Sequence, residues 1–219
     1  MVNAAMKRFQ ALAPEKRERI ERAAIAEFAA HGYATANTNT IAERAGISVG
    51  ALFRYFDTKR DIFMYVVGRA QDELRTALLA ITDEGDSALT RIGALAELAV
   101  TSASTHRDLV RLYCELTATG SAEIVAESVD QLEGETFRMY RELIAEGQET
   151  GEIRTDIDSS TLAFFIDNIM MSLQYARASD YHVQRALLYV PGMSDAELAS
   201  GAREFLISAL QVPEGGNHK

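Results

Sequence analysis

The side chains best suited to bind another molecule lie within the first sixty residues of the sequence. Ser48, Val49, Gly50 and Ala51 are small, and Arg54 follows one helical turn behind them. Small side chains let a helix tip approach a surface closely, and a guanidinium offers donors in a rigid fork that matches phosphates and guanine edges. The chemistry indicated is hydrogen-bonded recognition of nucleic acid rather than bond cleavage.

Two short helices joined by a tight turn are predicted to position these side chains. The first covers residues 38–45, the second covers residues 49–56, and the turn is Gly46-Ile47-Ser48. Asn37 and Ser48 are favoured N-cap residues, and glycine readily adopts the left-handed conformation that such a turn requires. This arrangement predicts a helix-turn-helix, whose second helix enters the major groove of DNA.

Longer helices are predicted on both sides of this motif. Pro14 suits the first turn of a helix that ends at Gly32, and Thr58 with Asp61 forms a capping box that opens a long helix towards Ile81. Further helices are predicted at residues 86–104, 106–118, 121–149, 158–178 and 195–211. No convincing strand pattern occurs, so the sequence predicts an all-α fold of about nine helices.

The charge is distributed unevenly along the chain, whose net charge is −10. Residues 1–60 contain ten Lys and Arg against six Asp and Glu, whereas the remainder contains twelve against twenty-six. A basic head on an acidic body is expected when only one end of a protein meets phosphates.

No pattern typical of an enzyme or a metal site occurs in the sequence. Cys114 has no zinc-ligand spacing around it, Glu27 and His31 do not have the Glu-x-x-His spacing of di-iron bundles, and there is no Gly-rich phosphate loop or nucleophile elbow. We therefore expect no catalytic residue, no metal and no cofactor. The single cysteine, the lack of a signal peptide and the absence of an apolar run near the roughly 20 residues of a membrane span predict a cytoplasmic protein.

Residues 19–59, around the motif, have a characteristic spacing. The residues that define it are Arg19-Ile20, Ala23-Ala24, Phe28, Gly32-Tyr33, and then Ile41-Ala42-Glu43-Arg44-Ala45-Gly46-Ile47-Ser48, Gly50, Leu52-Phe53-Arg54-Tyr55-Phe56 and Thr58-Lys59. This pattern resembles the DNA-binding domain of TetR-type regulators, and Gly151–Asp158 is similar to the connection before that family's penultimate helix. The resemblance implies an all-α homodimer that represses transcription and leaves a palindromic DNA operator when a small molecule enters its C-terminal domain.

The resemblance also implies a domain organisation and roles for single residues. Residues 1–13 and 213–219 are expected to be flexible tails, 14–60 the helix-turn-helix domain, and 61–212 a helical ligand-binding and dimerisation domain. The candidates for contacts to base edges are Ser48, Val49, Gly50, Ala51 and Arg54. The candidates for contacts to phosphates, which set register without reading sequence, are Thr38, Asn39, Tyr55 and Lys59.

Four positions depart from the residues that are common in this family. Val49 stands in place of a lysine or another polar residue, Ala51 in place of threonine or serine, Phe53 in place of tyrosine, and Ala36 in place of threonine. Each change removes a possible polar contact. We therefore expect operator choice to depend on Arg54, on apolar contacts and on DNA shape.

Aromatic and methionine-rich helix faces in the C-terminal half suit either a packed core or an adaptable cavity, and the sequence leaves both interpretations open. The candidates for a pocket that binds a small apolar or aromatic ligand are His106, Tyr113, Phe137, Tyr140, Phe164, Asn168, Met171 and Tyr175. Asn168 is interpreted as a buried amide that pairs either with a ligand or across a dimer.

A dimer is expected because one recognition helix buries too little surface to select an operator, and two-fold symmetry matches a palindromic site. The candidates for the dimer interface are Met170, Leu173, Leu198, Ala202, Phe205 and Leu206. The segment 181–192 is interpreted as an insertion that is either a packing loop or a lid. An alternative is a regulator of the same fold that is controlled by a protein partner or by its abundance.

Overall fold

In a computed structural model, residues 4–81, 85–119 and 122–212 are described, and this part of the chain forms helices without a β-strand. The eleven helices are α1 (Ala4–Gln10), α2 (Pro14–Thr35), α3 (Thr38–Arg44), α4 (Val49–Tyr55), α5 (Lys59–Ile81), α6 (Ala88–Thr105), α7 (Arg107–Thr119), α8 (Ala122–Glu149), α9 (Ser159–Ala178), α10 (Asp180–Tyr189) and α11 (Asp195–Leu210). The all-α prediction is confirmed. Within these described ranges, no helix is both long enough and apolar enough to cross a membrane.

The local signals read from the sequence place the helices of the motif correctly. The Asn37 side chain accepts a hydrogen bond from the Asn39 amide at 2.9 Å, and Ser48 Oγ accepts one from the Ala51 amide at 3.1 Å. At the start of α5, the Thr58 amide donates to the Asp61 carboxylate while the Asp61 amide donates to Thr58 Oγ1. These side chains satisfy amides that have no partner within the first turn of a helix, so each helix begins where its cap lies.

The described residues form two compact units. The first comprises the described parts of residues 1–72 and 108–121, and the second comprises those of residues 73–107 and 122–219. In the first unit α2 packs on α3, α3 on α4, and α1 on α4. Its fully buried side chains include Ile20, Phe28, Ile41, Leu52, Phe56 and Phe63.

The prediction of a flexible tail over residues 1–13 is wrong for α1. This seven-residue helix is too short to be stable alone, and Phe9 anchors it because its side chain is 0% exposed. The ring centroid of Phe9 lies 4.8 Å from that of Phe56 and 5.0 Å from that of Tyr65. Packing against distant residues therefore orders a segment of good helix formers that is too short to be a stable helix alone.

The second unit is built around α6, which packs on both α9 and α11, while α8 packs on α9. Its apolar core includes Ile92, Leu95, Leu143, Ile144, Ile153, Leu162, Ile166, Met170, Leu206 and Leu210. The close approach at the end of α8 depends on Gly147, where an added Cβ would lie 2.5 Å from Ile153 Cδ1. An isolated bridge pairs Ile153 with Gln211 beside this contact.

The segment 181–192, interpreted as a packing loop or a lid, contains most of a helix. Helix α10 packs on α9, and it has no buried residue. Tyr181, Leu188 and Tyr189 are 72%, 83% and 73% exposed. Because α1 and α10 were not predicted, the described part of the chain has eleven helices rather than about nine.

Candidate functional site

Helices α3 and α4 with their turn form the predicted helix-turn-helix. Gly46 has φ 67°, which is the left-handed conformation expected there, and the Ile47 amide donates to the Ala42 carbonyl at 3.0 Å. Ile41 and Leu52 are each 0% exposed. These two buried side chains lie on α3 and α4 respectively, and their burial fixes the packing of the first unit around the motif.

The candidate base-contact residues lie on an accessible face of α4. Ser48, Gly50 and Arg54 are exposed, whereas Val49 and Ala51 are half-buried. Ser48 Oγ already accepts the cap hydrogen bond, so its hydroxyl proton is the group that it can still offer. In the described part of the chain, no hydrogen bond or ion pair holds the Arg54 guanidinium, so its donors are available to a ligand.

The backbone at the end of α4 is held by α1, a helix that is not predicted from the sequence. Arg8 Nε donates a hydrogen bond to the Arg54 carbonyl oxygen at 2.9 Å. A cation at a helix C-terminus satisfies carbonyls that have no helical partner and is favoured by the helix dipole. Lys7 and Arg8 are both exposed, so α1 also adds positive charge beside the recognition helix.

Among the phosphate candidates, Tyr55 and Lys59 already have partners within the protein. Tyr55 is half-buried, and its hydroxyl accepts a hydrogen bond from Lys16 Nζ at 3.4 Å. Lys59 Nζ donates to the Ala34 carbonyl at 3.0 Å and lies 5.2 Å from the centroid of the Tyr33 ring. An ammonium has three N–H donors, so Lys59 can still donate a hydrogen bond to a phosphate. It would do so from a fixed position, because its side chain is held by Ala34 and Tyr33.

The other two phosphate candidates lie at the N-terminus of α3. Asn39 is exposed and Thr38 is half-buried. The Asn39 amide is taken by the Asn37 side chain, so the Asn39 side chain is the group available to a phosphate.

The candidate pocket residues do not share one environment. Phe164 is 62% exposed, and the expectation of a buried Asn168 is wrong because its side chain is exposed and donates to the Phe164 carbonyl within α9. Tyr140 lies in the core of the second unit, whereas Phe137 is 42% exposed. His106 is exposed at the end of α6, and Met171 and Tyr175 are half-buried on α9; Tyr113 is half-buried in the first unit.

The candidate interface residues also differ in accessibility. Met170 and Leu206 are 3% and 2% exposed in the single chain, so they belong to the core and have little surface left for a partner. Leu173, Leu198 and Ala202 are half-buried. Phe205 is 60% exposed, which makes it the candidate with the most apolar surface available.

An open groove lies on the second unit along α6 and α8. The groove is lined by Arg91, Glu135, Arg138, Met139, Glu142, Leu143 and Glu146, and Arg91 is paired with Glu146 at 3.0 Å. None of the candidate pocket residues lines this groove. Its mostly charged walls make it unlike the apolar cavity that the sequence predicts.

The structure contains a half-buried carboxyl group on α9 that the sequence does not indicate. Burial, with a smaller contribution from the Glu133 carboxylate, raises the pKa of Asp167 to about 6. The buried hydroxyl of Tyr140 has a raised pKa for the same reasons, first burial and then the charges of Asp167 and Glu133. Packing of α8 on α9 therefore disfavours the ionised forms of these groups.

We expect Asp167→Asn to stabilise the protein at neutral pH and to have little effect in acid. Because the folded-state pKa is raised, the contribution of Asp167 to stability is fully present below its unfolded pKa of about 4 and is lost as pH rises through 6. After a discount for solvent screening, the gain in the free energy of unfolding near pH 7.5 is about 1 kcal/mol. Urea denaturation at about pH 4 and about pH 7.5 measures this gain. The control is Glu142→Gln, because Glu142 is exposed. A change in the free energy of unfolding that is equal at both pH values for Asp167→Asn would contradict the expectation.

Comparisons with known proteins relate the helix-turn-helix to a family of regulators. The sequence model described as "Bacterial regulatory proteins, tetR family" matches residues 20–66. An HTH-type transcriptional repressor of Streptomyces coelicolor is 28% identical over 149 residues, which cover 68% of this chain and 72% of that protein. An HTH-type transcriptional regulator of Staphylococcus aureus is 38% identical over 72 residues, but the match spans only 33% of this chain and 39% of that protein.

The fold is also similar to that of a solved transcriptional regulator from Saccharomonospora viridis in complex with choline. The TM-score is 0.73 at 20% sequence identity, and the match covers 92% of this chain and 100% of that one. At this identity the likeness concerns the fold alone. The match over residues 20–66 includes α3, the turn and α4, so the helix-turn-helix is the part of the molecule that carries the relationship. Through it the chain is similar to the tetR family of bacterial regulatory proteins, and the relatives that it matches are named transcriptional regulators rather than enzymes.

Proposed function

We propose that this protein is a dimeric repressor that binds a palindromic operator through α4 of each protomer and is released by a small apolar or aromatic ligand. The DNA-binding part is assigned to residues 14–60, and the ligand-binding and dimerisation part to residues 61–212. The observation that carries the proposal is the accessible face of α4, on which Arg54 is exposed while both ends of the helix are held by Ser48 and Arg8.

The contacts to DNA are assigned in two groups. Arg54 donates to guanine, and Val49 covers a thymine methyl group, while Ser48, Gly50 and Ala51 keep the helix tip close to the base edges. Thr38, Asn39, Tyr55 and Lys59 contact phosphates. Because Tyr55 and Lys59 are already held by Lys16 and Ala34, they present a rigid surface that sets the register of α4.

Two exposed aromatic surfaces in the second unit support the dimer. Phe164 and Phe165 are 62% and 51% exposed on α9, and Phe205 is 60% exposed on α11. Monomeric proteins rarely expose large contiguous apolar patches without a partner. A symmetric dimer through α9 and α11 would cover them and would present two recognition helices to one palindrome.

The support for repression and for release by a ligand comes from similar proteins and from side-chain chemistry. The Streptomyces coelicolor relative is named a repressor, and the Saccharomonospora viridis protein of similar fold was solved with choline bound. In this chain Met171 and Tyr175 lie one turn apart on α9 and are half-buried. Methionine adapts to varied ligands, so these two residues are the pocket candidates that the described geometry favours.

Transcription in vitro tests the proposal. A site selected from random DNA is placed over a promoter, and added protein should lower the amount of transcript. A panel of apolar and aromatic compounds should contain some that restore transcription. The same compounds should restore less transcription when the repressing protein is the Met171→Ala variant. A rise in transcript on adding the protein would contradict repression. Transcription that no compound restores would favour the alternative, in which a protein partner or abundance controls the regulator.

A further inference from the structure

The first unit contains a buried carboxylate whose burial the sequence did not suggest. Glu27 lies in the middle of α2 and is 2% exposed. Charged side chains are almost never fully buried unless they are paired, because the charge loses its hydration. Glu27 must therefore have partners that compensate for the lost water.

The partners of Glu27 lie at the two ends of α3. Glu27 Oε1 accepts a hydrogen bond from the Asn37 amide at 3.0 Å, and Asn37 is the N-cap residue of α3. Glu27 Oε2 lies 3.5 Å from Arg44 Nη1, and Arg44 is the last residue of the same helix. His31 Nε2 lies farther away, at 4.0 Å from Oε2. A single carboxylate thus connects α2 with both ends of α3.

The N-cap contact extends to the candidate phosphate-binding residues. Asn37 Oδ1 accepts a hydrogen bond from the Asn39 amide at 2.9 Å, and Thr38 and Asn39 are the first two residues of α3. The Glu27 hydrogen bond fixes the backbone just before them, whereas the Arg44 contact at the other end, which leads into the Gly46 turn, is an ion pair without a hydrogen bond.

We propose that Glu27 is a positioning residue for DNA recognition, which holds α3 at its N-cap so that α3 and α4 meet the operator in register. The buried side chain has no access to DNA and acts through the Asn37 amide. The proposal rests on DNA binding by the helix-turn-helix. It adds to the proposed DNA contacts of α3 and α4 a residue that does not itself touch DNA.

Three substitutions separate the Asn37 hydrogen bond from other effects. Glu27→Gln keeps an acceptor for the Asn37 amide but loses the charge that faces Arg44. Glu27→Leu removes the acceptor and keeps an apolar side chain of similar size. Glu27→Asp keeps the charge on a side chain shorter by one methylene group. It is used as the variant without the Asn37 hydrogen bond if the leucine variant does not fold.

Fluorescence anisotropy with the selected operator and with random DNA of equal length measures the effect in the full chain, after circular dichroism has established which variants fold. Glu27→Gln should bind the operator within about threefold of wild type, whereas Glu27→Leu and Glu27→Asp should lose about tenfold. Random DNA, which needs no register, should be bound within about threefold by all. A merely structural defect would weaken binding to both DNAs equally.

Exchange of the Asn37 amide proton gives an independent readout. The amide should be protected in wild type and in Glu27→Gln, and it should exchange at least tenfold faster in Glu27→Leu and Glu27→Asp. Unchanged exchange, an equal loss on operator and random DNA, or a glutamine variant as weak as the leucine variant would each overturn the proposal. Wild type is measured before any variant. If wild type shows no preference for the operator over random DNA, the proposed function fails rather than the role of Glu27.

Discussion

Replacement of Phe9 with alanine should lower the free energy of unfolding of the first unit by about 3–5 kcal/mol, the usual range for removal of a fully buried aromatic side chain. Phe9 is 0% exposed, and its ring lies 4.8 Å from Phe56, 5.0 Å from Tyr65 and 6.0 Å from Tyr55, measured between centroids. Loss of this ring leaves a cavity at the point where α1 packs on α4.

The same substitution should weaken DNA binding as well. Without its anchor, α1 no longer holds Arg8 beside the Arg54 carbonyl, and the C-terminal end of α4 loses that support. Chemical denaturation followed by circular dichroism measures the stability change. Phe53→Ala is the matched control, because Phe53 is 38% exposed on α4 and should cost less than about 1 kcal/mol. A Phe9 variant as stable as this control would show that α1 does not support the first unit.

The triple substitution of Phe164, Phe165 and Phe205 with serine should convert the proposed dimer into monomers. A two-fold interface would contain six of these rings, and truncation of central aromatic residues in interfaces often costs about 2 kcal/mol or more each. The dissociation constant should therefore rise at least about a thousandfold. Operator affinity should fall with it, because one recognition helix cannot select a palindrome alone.

Sedimentation velocity over a concentration series measures this change, and the thermal unfolding of the triple variant establishes that it still folds. Phe137→Ser is the control, because Phe137 is 42% exposed on α8 and lies outside the proposed interface. A triple variant that remains dimeric would place the interface elsewhere. The exposed apolar residues Leu188 and Tyr189 of α10 would then be the next candidates.

Local chemistry made the motif predictable from the sequence. Asn37, Ser48 and Thr58 begin helices because their side chains satisfy amides two or three residues away, and Gly46 permits the turn without reference to any distant residue. Such signals depend only on neighbouring residues. They were therefore readable without knowledge of the tertiary fold, and the helices they define are the ones predicted most closely.

The features that were not predicted depend on contacts between distant residues. The burial of Glu27 requires Asn37 and Arg44 to fold against it, and the order of so short a helix as α1 requires Phe9 to reach Phe56, so local sequence does not decide either. Asn168 looked buried because its neighbours are apolar, yet it lies on the outer side of α9. Apolar neighbours in the sequence do not distinguish a helix face buried in the core from an exposed apolar face that a partner could cover.

The most direct test of DNA recognition through α4 is a DNA titration with wild type, Arg54→Ala and Arg138→Ala, the last being an exposed arginine on α8 that serves as the control. Each protein is titrated over a salt series onto the site selected from random DNA and onto random DNA itself. We expect Arg54→Ala to lose about 10- to 100-fold on the selected site, which corresponds to about 1–3 kcal/mol for a bidentate contact to guanine, and far less on random DNA. The control should bind like wild type. If Arg54→Ala also bound the selected site like wild type, α4 would not read DNA through Arg54, and the proposed recognition of the operator would be wrong.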